Sequence, residues 1–547
     1  MKHGSNRRLA NVKTRSETGL DYVMSQIDLN TPFGKDILKA TKPYFPGEEE
    51  ALRHELDKVE EMIRFAKENH RSVELLSEAF MEVKDVTYTI ERSARNPLSV
   101  VELYEIKTLL LMMRKIDRLC GETNTPVPEE FILEPTEELL DVLDPSKDRI
   151  NTFYIYDEFS EKLARLRKEK HGIEVAIRKS QKARKAEIQR EYGIILTPKF
   201  DCAVSKNSGE LEKYRAVPDL VQTDEDYMTV TFELKPGDEV YALTRQMEEL
   251  VTAIEEEETV VRQRLSLRIA DFAQVLKDNC RKIGCLDVAL GKALYAIRHD
   301  CVKPEIVDEH IVEIVEGRQS KVEDVLKSKG KTYCPVSISL ADGVTCITGA
   351  NMGGKTISLK LSGLIPILAQ YGFFVPCKEA RVGLSNYMQI LIGDSQSVER
   401  GLSSFGSEME ELKEILDHSE ERSLLLIDEI ASGTNPVEGL ALTRSLVDYL
   451  IDKPYITLIT THFEAVTEEN GVKNMQVRGL ADVDFRKLDS ELKYANRKER
   501  INIISKYMDY RLYTVEKNGQ IPKDALNIAK MLGINKEIID GAQKYIK

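Results

Sequence analysis

The chain has 547 residues, of which 42% are hydrophobic and 31% are charged, and its formal net charge is −14. This length predicts three or four domains with ample hydrophobic core. The negative charge makes the average surface repel nucleic acid and anionic membranes, so DNA binding would require a segregated basic patch.

Cysteine usage and hydropathy indicate the cellular compartment in which the protein is expected. The eight cysteines are scattered and form no C-x-x-C pair, which favours free thiols in a reducing cytosol over a disulfide framework or a metal site. No run of about 18 apolar residues occurs, and the basic N-terminus has no apolar signal-peptide core. We therefore expect a cytoplasmic protein without a membrane partner.

The first 156 residues fall into two predicted segments. Residues 1–45 are polar with little periodicity and are predicted to form an N-terminal arm. In residues 46–156 apolar side chains recur at three- and four-residue steps, as at Leu52, Leu56 and Val59, which predicts a helical core domain. Asn96-Pro97 marks a break between two of its helices.

Residues 157–316 are predicted to form lever helices that carry a small tip. The first long helix, up to Tyr192, contains eleven Lys/Arg and five Glu between residues 161 and 193. A β-rich insert follows at about residues 200–240, and helical spacing returns up to about Ile297. The insert holds ten Asp/Glu against four Lys/Arg, a local charge of −6.

A phosphate-binding pattern, G-x-x-x-x-G-K-[ST], spans Gly349–Thr356. A β-branched run precedes it and helical apolar spacing follows it, which is the geometry in which backbone N–H groups and a helix N-terminus cradle phosphate. Lys355 would reach the terminal phosphates, and the Thr356 hydroxyl would bind Mg²⁺. The predicted nucleotide-binding set is Gly349, Ala350, Asn351, Met352, Gly353, Gly354, Lys355, Thr356 and Ile357.

A second apolar strand, Ser423–Asp428, ends in two carboxylates. Asp428 is placed to hold Mg²⁺, and Glu429 is placed to orient or deprotonate an attacking water. The alternative is a buried strand whose acidic end only caps the next turn. The phosphate loop upstream favours the catalytic interpretation.

Two further features surround the predicted site. His462 follows another strand, and ligands of open α/β sheets bind at the carboxyl ends of strands; this position favours a sensor of the terminal phosphate over a structural histidine. The Ser/Gly loop that starts at Gly401 and contains Ser403 suits a phosphate, but by itself it equally suits an ordinary helix cap, and taken alone the cap is the favoured interpretation.

Together these motifs resemble the MutS family of ABC-type ATPases. Thr348–Thr356 is close to the family's TGPNMGGKS, and Asp428–Thr434 resembles its DEIGRGT. Thr461-His462-Phe463 matches its THF, and Gly401–Phe405 resembles its GxSTF signature. The resemblance is firm over about residues 317–547 and weaker upstream.

The resemblance implies an all-α core and lever with a β-rich tip, followed by an α/β P-loop ATPase domain at 317–510. It also implies a helix-turn-helix dimerisation segment at 511–547 and ATP with Mg²⁺ as the ligands. The implied roles are Lys355 on phosphate, Thr356 and Asp428 on Mg²⁺, Glu429 as catalytic base, His462 as sensor, Tyr333 on adenine, and Ser403 acting across a homo- or heterodimer on the partner's nucleotide.

The resemblance leaves the macromolecular partner open. We expect the family's mismatch-reading module and the nuclease-like module of its recombination branch to be absent. Duplex or branched DNA, in repair or recombination, is the family's usual partner, yet the acidic tip is a poor clamp for a phosphate backbone. The alternative is a protein-remodelling ATPase, such as the MutS-like pair associated with reactivating a cobalamin-dependent lysine aminomutase. The basic lever helix could bind DNA, or it could be a solvated face.

Overall fold

The structure combines helices with three β-sheets, in agreement with the predicted mixed, multidomain fold. None of the helices described is long and apolar enough to cross a membrane. The computed structural model describes residues 8–123, 125–349, 354–393, 404–469, 471–480, 483, 485–492, 503, 507–515 and 524–545.

The chain divides into two compact units, each assembled from separate stretches of sequence. The first comprises Met1–Phe80, Leu119–Ile132 and Lys282–Lys547. The second comprises Met81–Arg118 and Leu133–Arg281.

The N-terminal residues of the first unit form three short helices where the sequence predicted a polar arm. Asn11 and Thr31 cap two of them, because their side-chain oxygens accept hydrogen bonds from backbone N–H groups three residues on, at 2.7 and 2.8 Å. Leu20 and Val23 are fully buried. Helices of six to nine residues contain too few turns for periodicity to reveal them. Helices α1–α5 span Val12–Thr18, Leu20–Ser25, Pro32–Ala40, Glu49–Glu68 and His70–Met81.

The second unit is dominated by long helices. The break predicted at Asn96-Pro97 lies between α6 (Thr87–Arg92) and α7 (Val100–Gly121). The long charged helix is α9 (Glu161–Tyr192). Its basic side chains pair with acidic ones of α11: Lys162 with Glu257 at 2.9 Å and Arg167 with Glu258 at 2.7 Å. Helices α6–α11 span Thr87–Arg92, Val100–Gly121, Glu137–Leu143, Glu161–Tyr192, Leu211–Arg215 and Asp238–Asp271.

The predicted β-rich insert is a three-stranded antiparallel sheet, which we call the tip sheet. Its strands β1–β3 are Asp201–Ser205, Leu220–Glu225 and Thr229–Leu234, in the order β1-β3-β2. Val230 and Phe232 pack with Ile188 of α9 in a core that belongs to this region.

The rest of the first unit contains two sheets. The side sheet has the order β4-β8-β5-β6, and the central sheet has the order β13-β12-β7-β11-β10-β9. Strands β4–β13 span Glu305–Val307, Ile311–Gly317, Val336–Ala341, Gly343–Thr348, Glu379–Gly383, Tyr387–Ile392, Ser423–Asp428, Tyr455–Thr460, Lys473–Gly479 and Asp509–Thr514. Helices α12–α19 span Ala273–Arg298, Ser320–Ser328, Gly354–Gln370, Ser404–His418, Pro436–Leu450, Phe485–Leu492, Asp524–Met531 and Lys536–Tyr545.

Apolar layers cover both faces of the central sheet. Its strands run parallel except at the β12–β13 edge, and every residue of β10 is buried, as expected for the interior of a parallel sheet. Leu364 of α14 and Leu20 of α2 belong to the core on one side, and Ile415 of α15 and Val447 of α16 belong to the core on the other. The two layers hold the sheet in place, and the predicted site residues lie at its carboxyl edge.

Candidate nucleotide-binding site

The strand order places the ends of β7, β10 and β11 side by side. Asp428 is paired in register with Thr460, and Thr460 is paired with Ile347. The end of β7 and the start of α14 therefore lie beside the carboxylates at the end of β10. Residues more than 70 positions apart in sequence meet at one edge, as the motif analysis predicted.

Thr356, at the start of α14, contacts Asp428 directly. Its hydroxyl donates a hydrogen bond to Asp428 Oδ2 at 2.9 Å. The Thr460 hydroxyl donates to the other carboxylate oxygen of Asp428. Asp428 is therefore held from both sides, and a hydroxyl and a carboxylate, both hard oxygen donors, converge at one point.

Lys355 lies against Glu429 and His462. Its side chain is only 3% exposed, and Nζ is 3.2 Å from Glu429 Oε1 and 3.3 Å from both ring nitrogens of His462. His462 Nε2 is 2.8 Å from the same Glu429 oxygen. Burial lowers the pKa of Lys355 below its ordinary value of 10.5, although Glu429 and Asp428 oppose that shift.

The backbone after β10 is held in an unusual conformation. Glu429 has φ of +48° and Ala431 has φ of +57°, a region that non-glycine residues adopt at a cost. The Glu429 N–H donates to Thr460 O at 3.0 Å, and the Ala431 N–H donates to Glu408 Oε1 at 3.3 Å. These bonds fix the direction in which the Glu429 carboxylate leaves the strand.

Glu408 is a contributor that sequence reasoning missed. It lies in α15, is 8% exposed, and its pKa is raised by burial. Its sequence position shows only an acidic residue near the start of a helix, and its contact with the turn after β10 arises from packing between distant segments.

A cavity of about 1140 Å³ opens beside the start of α14. Gly354 and Ile357 line it, together with Tyr333, whose pKa is raised to about 12 by burial. Tyr510 and Arg511 of β13 complete the wall. Tyr333 was predicted to contact adenine, whereas the two β13 residues were not predicted, because no local motif distinguishes that strand.

The predicted site residues that the structure describes gather in this region. Gly349 directly follows β7 and has φ of +119°, a conformation that favours glycine. Lys355, Thr356, Asp428, Glu429 and His462 form the contacts given above. Outside the described residues lie Ala350, Asn351, Met352, Gly353 and Ser403.

The residues present fit a magnesium–nucleoside triphosphate. A buried lysine supplies positive charge, and one hydroxyl and one carboxylate supply hard oxygens, which suits Mg²⁺ because it keeps several waters. Within the described ranges no group of three or more His, Cys, Asp or Glu side chains could hold a metal by protein ligands alone. A shared site, with phosphate oxygens and water completing the coordination, is consistent with both observations.

The parallel sheet, with Lys355 and Thr356 beside the strand-end Asp-Glu pair, defines an α/β domain with a candidate phosphate-binding site. Comparison with known proteins places the C-terminal part of the chain: residues 345–547 match the family model MutS domain V. This part of the chain therefore carries a MutS-family domain.

Similar curated proteins are called Endonuclease MutS2. The protein of Halothermothrix orenii is 29% identical over 423 residues, which cover 73% of this chain and 52% of that protein. The protein of Clostridium botulinum strain Loch Maree is 33% identical over 351 residues, or 62% of this chain and 40% of that protein. The protein of Clostridium kluyveri is 34% identical over 280 residues, or 50% and 34%. The matches therefore span about half or less of these relatives.

Proposed function

We propose that this chain hydrolyses ATP with Mg²⁺ and couples the change of nucleotide state to movement of a macromolecular partner. The observation that carries the proposal is the convergence of Lys355, Thr356, Asp428, Glu429 and His462 at one sheet edge. The match of residues 345–547 to MutS domain V supports it.

Each side chain has a role that follows from its contacts. Thr356 and Asp428 would hold Mg²⁺, which neutralises charge on phosphate oxygens when bound. Lys355 contacts Glu429 in this structure, and a bound phosphate would compete for that ammonium group. Glu429 would then be released to accept a proton from the attacking water, while His462 Nε2, 2.8 Å away, keeps it oriented.

The base would lie in the cavity beside Gly354. Tyr333 provides an aromatic wall there, and Ile357 provides an apolar one. An aromatic ring and an aliphatic side chain are suitable contacts for a planar purine.

Hydrolysis is tested by phosphate release with and without Mg²⁺, using Lys355→Ala and the exposed control Lys378→Ala. We expect Mg²⁺-dependent turnover in the wild type and the control. Turnover by Lys355→Ala should be at least roughly 100-fold lower, because removing a preorganised positive charge from a phosphate site slows catalysis by about that factor. Equal turnover in all three proteins would contradict the proposal.

A dimer in which Ser403 completes the partner's site is the second part of the proposal, and it rests on the family signature at Gly401–Phe405. The segment proposed for dimerisation, residues 511–547, contains α18 and α19. Whether the partner is a second copy or a related chain is decided by isolating the native complex.

Mixing two inactive variants tests the shared site. If Ser403 acts across the dimer, then Ser403→Ala and Glu429→Gln subunits, exchanged one to one, recover about a quarter of wild-type turnover, because half of the dimers are mixed and each has one complete site. If Ser403 acts within its own subunit, the mixture stays inactive.

DNA is the partner that the family suggests, and one surface of α9 favours it. Arg178, Lys179 and Lys182 are exposed, and none of them forms an ion pair with another described residue. Lys and Arg contacts with phosphate dominate nonspecific DNA affinity and make it fall with salt.

A protein partner is favoured by a different observation, the charge of −6 over residues 200–240. The cobalamin-dependent aminomutase is one candidate of this kind, although the relatives reported above lend it no support. The two classes are separated by ATPase rates with and without duplex or branched DNA at physiological salt. Strong stimulation with salt-sensitive binding would contradict the protein candidate. Unchanged rates, together with stimulation by an inactivated aminomutase, would contradict the DNA candidate.

A further inference from the structure

The turn between β2 and β3 presents two large apolar side chains to solvent. Tyr227 is 93% exposed and Met228 is 57% exposed. Both lie outside the core of the tip sheet, in which Val230 and Phe232 are buried. Folding of the tip therefore gains little from Tyr227 and Met228.

Asp226 holds this turn rigid. Its Oδ1 accepts hydrogen bonds from the N–H groups of Met228 at 2.7 Å and Thr229 at 2.6 Å, and its Oδ2 accepts one from the Thr229 hydroxyl at 2.9 Å. These bonds lower the pKa of Asp226. A rigid turn loses little conformational entropy when its exposed side chains are buried by a partner.

The carboxylates around the turn select the kind of partner. Asp224 and Asp226 form no ion pair with any described residue, whereas Glu225 is paired with Lys206 at 2.6 Å. Two carboxylates that lack an ion-pair partner among the described residues, beside Tyr227 and Met228, repel phosphate groups and attract Lys and Arg. Nucleic acid and anionic lipid are therefore poor matches for this surface.

The neighbouring strand extends the same surface. β2 is an edge strand of the tip sheet, and five of its six residues, Val221–Glu225, are exposed. An edge strand leaves backbone groups available to a second protein, and its acidic end continues the charge of the turn.

We propose that the turn formed by Asp226, Tyr227 and Met228 is a docking element for a protein partner whose surface carries an apolar patch bordered by lysine or arginine. The proposed role of the turn rests on the exposure, rigidity and charge of the tip alone. It does not depend on ATP hydrolysis, so either proposal can fail without the other.

The probe is a fluorescein-labelled 14-residue peptide of leucine and lysine that forms a helix with an apolar face edged by lysines. Its binding to the full chain is measured by fluorescence anisotropy, beside a leucine–glutamate peptide and a labelled DNA duplex. The tip variant is Tyr227→Ser with Met228→Ser. The matched control is Tyr88→Ser with Met81→Ser, because these residues are also exposed, at 76% and 62%.

We expect the lysine peptide to bind the wild type and the control equally and the tip variant roughly ten-fold more weakly, as for loss of an aromatic anchor. A photo-crosslinking group in the peptide should label residues 220–230. Equal affinity for the tip variant and the wild type would overturn the proposal. Loss of DNA binding in the tip variant would overturn it as well, because it would assign the turn to nucleic acid.

Discussion

At the scale of single residues, Lys355 illustrates how the site balances charge against burial. An ammonium group that is 3% exposed would ordinarily lose its proton readily, and burial does lower its pKa. Glu429, at 3.2 Å, opposes the shift and favours the charged form. The lysine therefore remains a usable phosphate ligand, but it titrates at a lower pH than a solvent-exposed lysine.

Nucleotide affinity should consequently fall in the alkaline range. Phosphate binding needs the protonated amine, so affinity is full below the lowered pKa of Lys355 and is lost as pH rises through it, before the ordinary value of 10.5 is reached. Tyr333 stays neutral over that range because its pKa is about 12. Equilibrium binding of ATP between about pH 7 and 10 measures the fall. Lys355→Arg, which keeps its charge, should bind with little pH dependence; the same fall in that variant would exclude Lys355 as the cause.

Removal of the Thr356 hydroxyl should weaken the binding of Mg²⁺ at the site. Thr356→Val deletes the hydrogen bond to Asp428 and one oxygen ligand. Because a hydrogen bond to a charged group is worth about 1.5–3 kcal/mol, the Mg²⁺ concentration for half-maximal turnover should rise roughly 10- to 100-fold. Thr356→Ser retains the hydroxyl and should behave like the wild type. An unchanged Mg²⁺ requirement in Thr356→Val would show that this hydroxyl does not bind the metal.

The residues that could be predicted were those with a local pattern. Lys355 and Thr356 follow glycines between a strand and a helix, and Glu429 ends an apolar run, so sequence alone predicted their chemistry. Glu408 and Tyr510 have no such pattern. Their contributions depend on packing between segments far apart in the chain.

At the scale of elements, α14 links the glycine loop to the N-terminal helices. Gly363 faces α1 and β10 so closely that a Cβ there would lie 2.6 Å from Thr18 Cγ2 and 2.7 Å from Leu426 Cδ1. α1 and the segment before it also cover the β9 edge of the central sheet, since the Met388 N–H donates to Leu9 O at 2.7 Å and the Ile390 N–H donates to the Thr14 hydroxyl at 3.1 Å. They are therefore structural parts of the first unit.

Two glycine-to-alanine substitutions should have opposite effects on stability. Gly363→Ala should lower the free energy of unfolding by about 1–3 kcal/mol, because it overpacks a filled core. Gly172→Ala, in α9, has no atom within 4 Å of the new Cβ and should raise it by about 0.5–1 kcal/mol through helix propensity. Urea unfolding followed by circular dichroism compares the two. A stabilising Gly363→Ala would mean that α14 is not tightly packed against α1.

Element prediction succeeded where elements were long and failed where they were short. α9 and α11 extend for 32 and 34 residues, and the spacing of apolar residues predicted where they lie in the sequence. Helices α1–α3 have at most nine residues, and their stability comes from caps and from burial against the sheet. Short amphipathic segments of this kind are hard to recognise before the surface that buries them is known.

At the scale of the whole molecule, some charges of the long helices are paired and others are not. The basic residues of α9 are partly neutralised by the acidic residues of α11, as in the pair Arg167–Glu258. The cluster at Arg178, Lys179 and Lys182 is not neutralised by other described residues, and the tip remains acidic. These net charges can be counted in the sequence, but only the structure shows which charges are paired.

The order of the strands in the central sheet also could not be predicted from the sequence. The motifs predicted that several strands end at one site, but the placement of β11 between β7 and β10 is a long-range pairing that periodicity cannot supply. That placement brings His462 to Glu429 and Lys355. The role of sensor proposed for His462 is therefore supported by topology as well as by its motif.

Glu429 is the residue on which the proposed hydrolysis depends most directly, and one measurement tests its role: single-turnover phosphate release by the full chain with Mg²⁺ and ATP, alongside equilibrium ATP binding. Glu429→Gln should bind ATP within a few-fold of the wild type and release phosphate roughly 100- to 10,000-fold more slowly, the range expected for loss of a general base. The exposed variant Glu438→Gln should match the wild type in both. Wild-type phosphate release by Glu429→Gln would contradict the proposed mechanism.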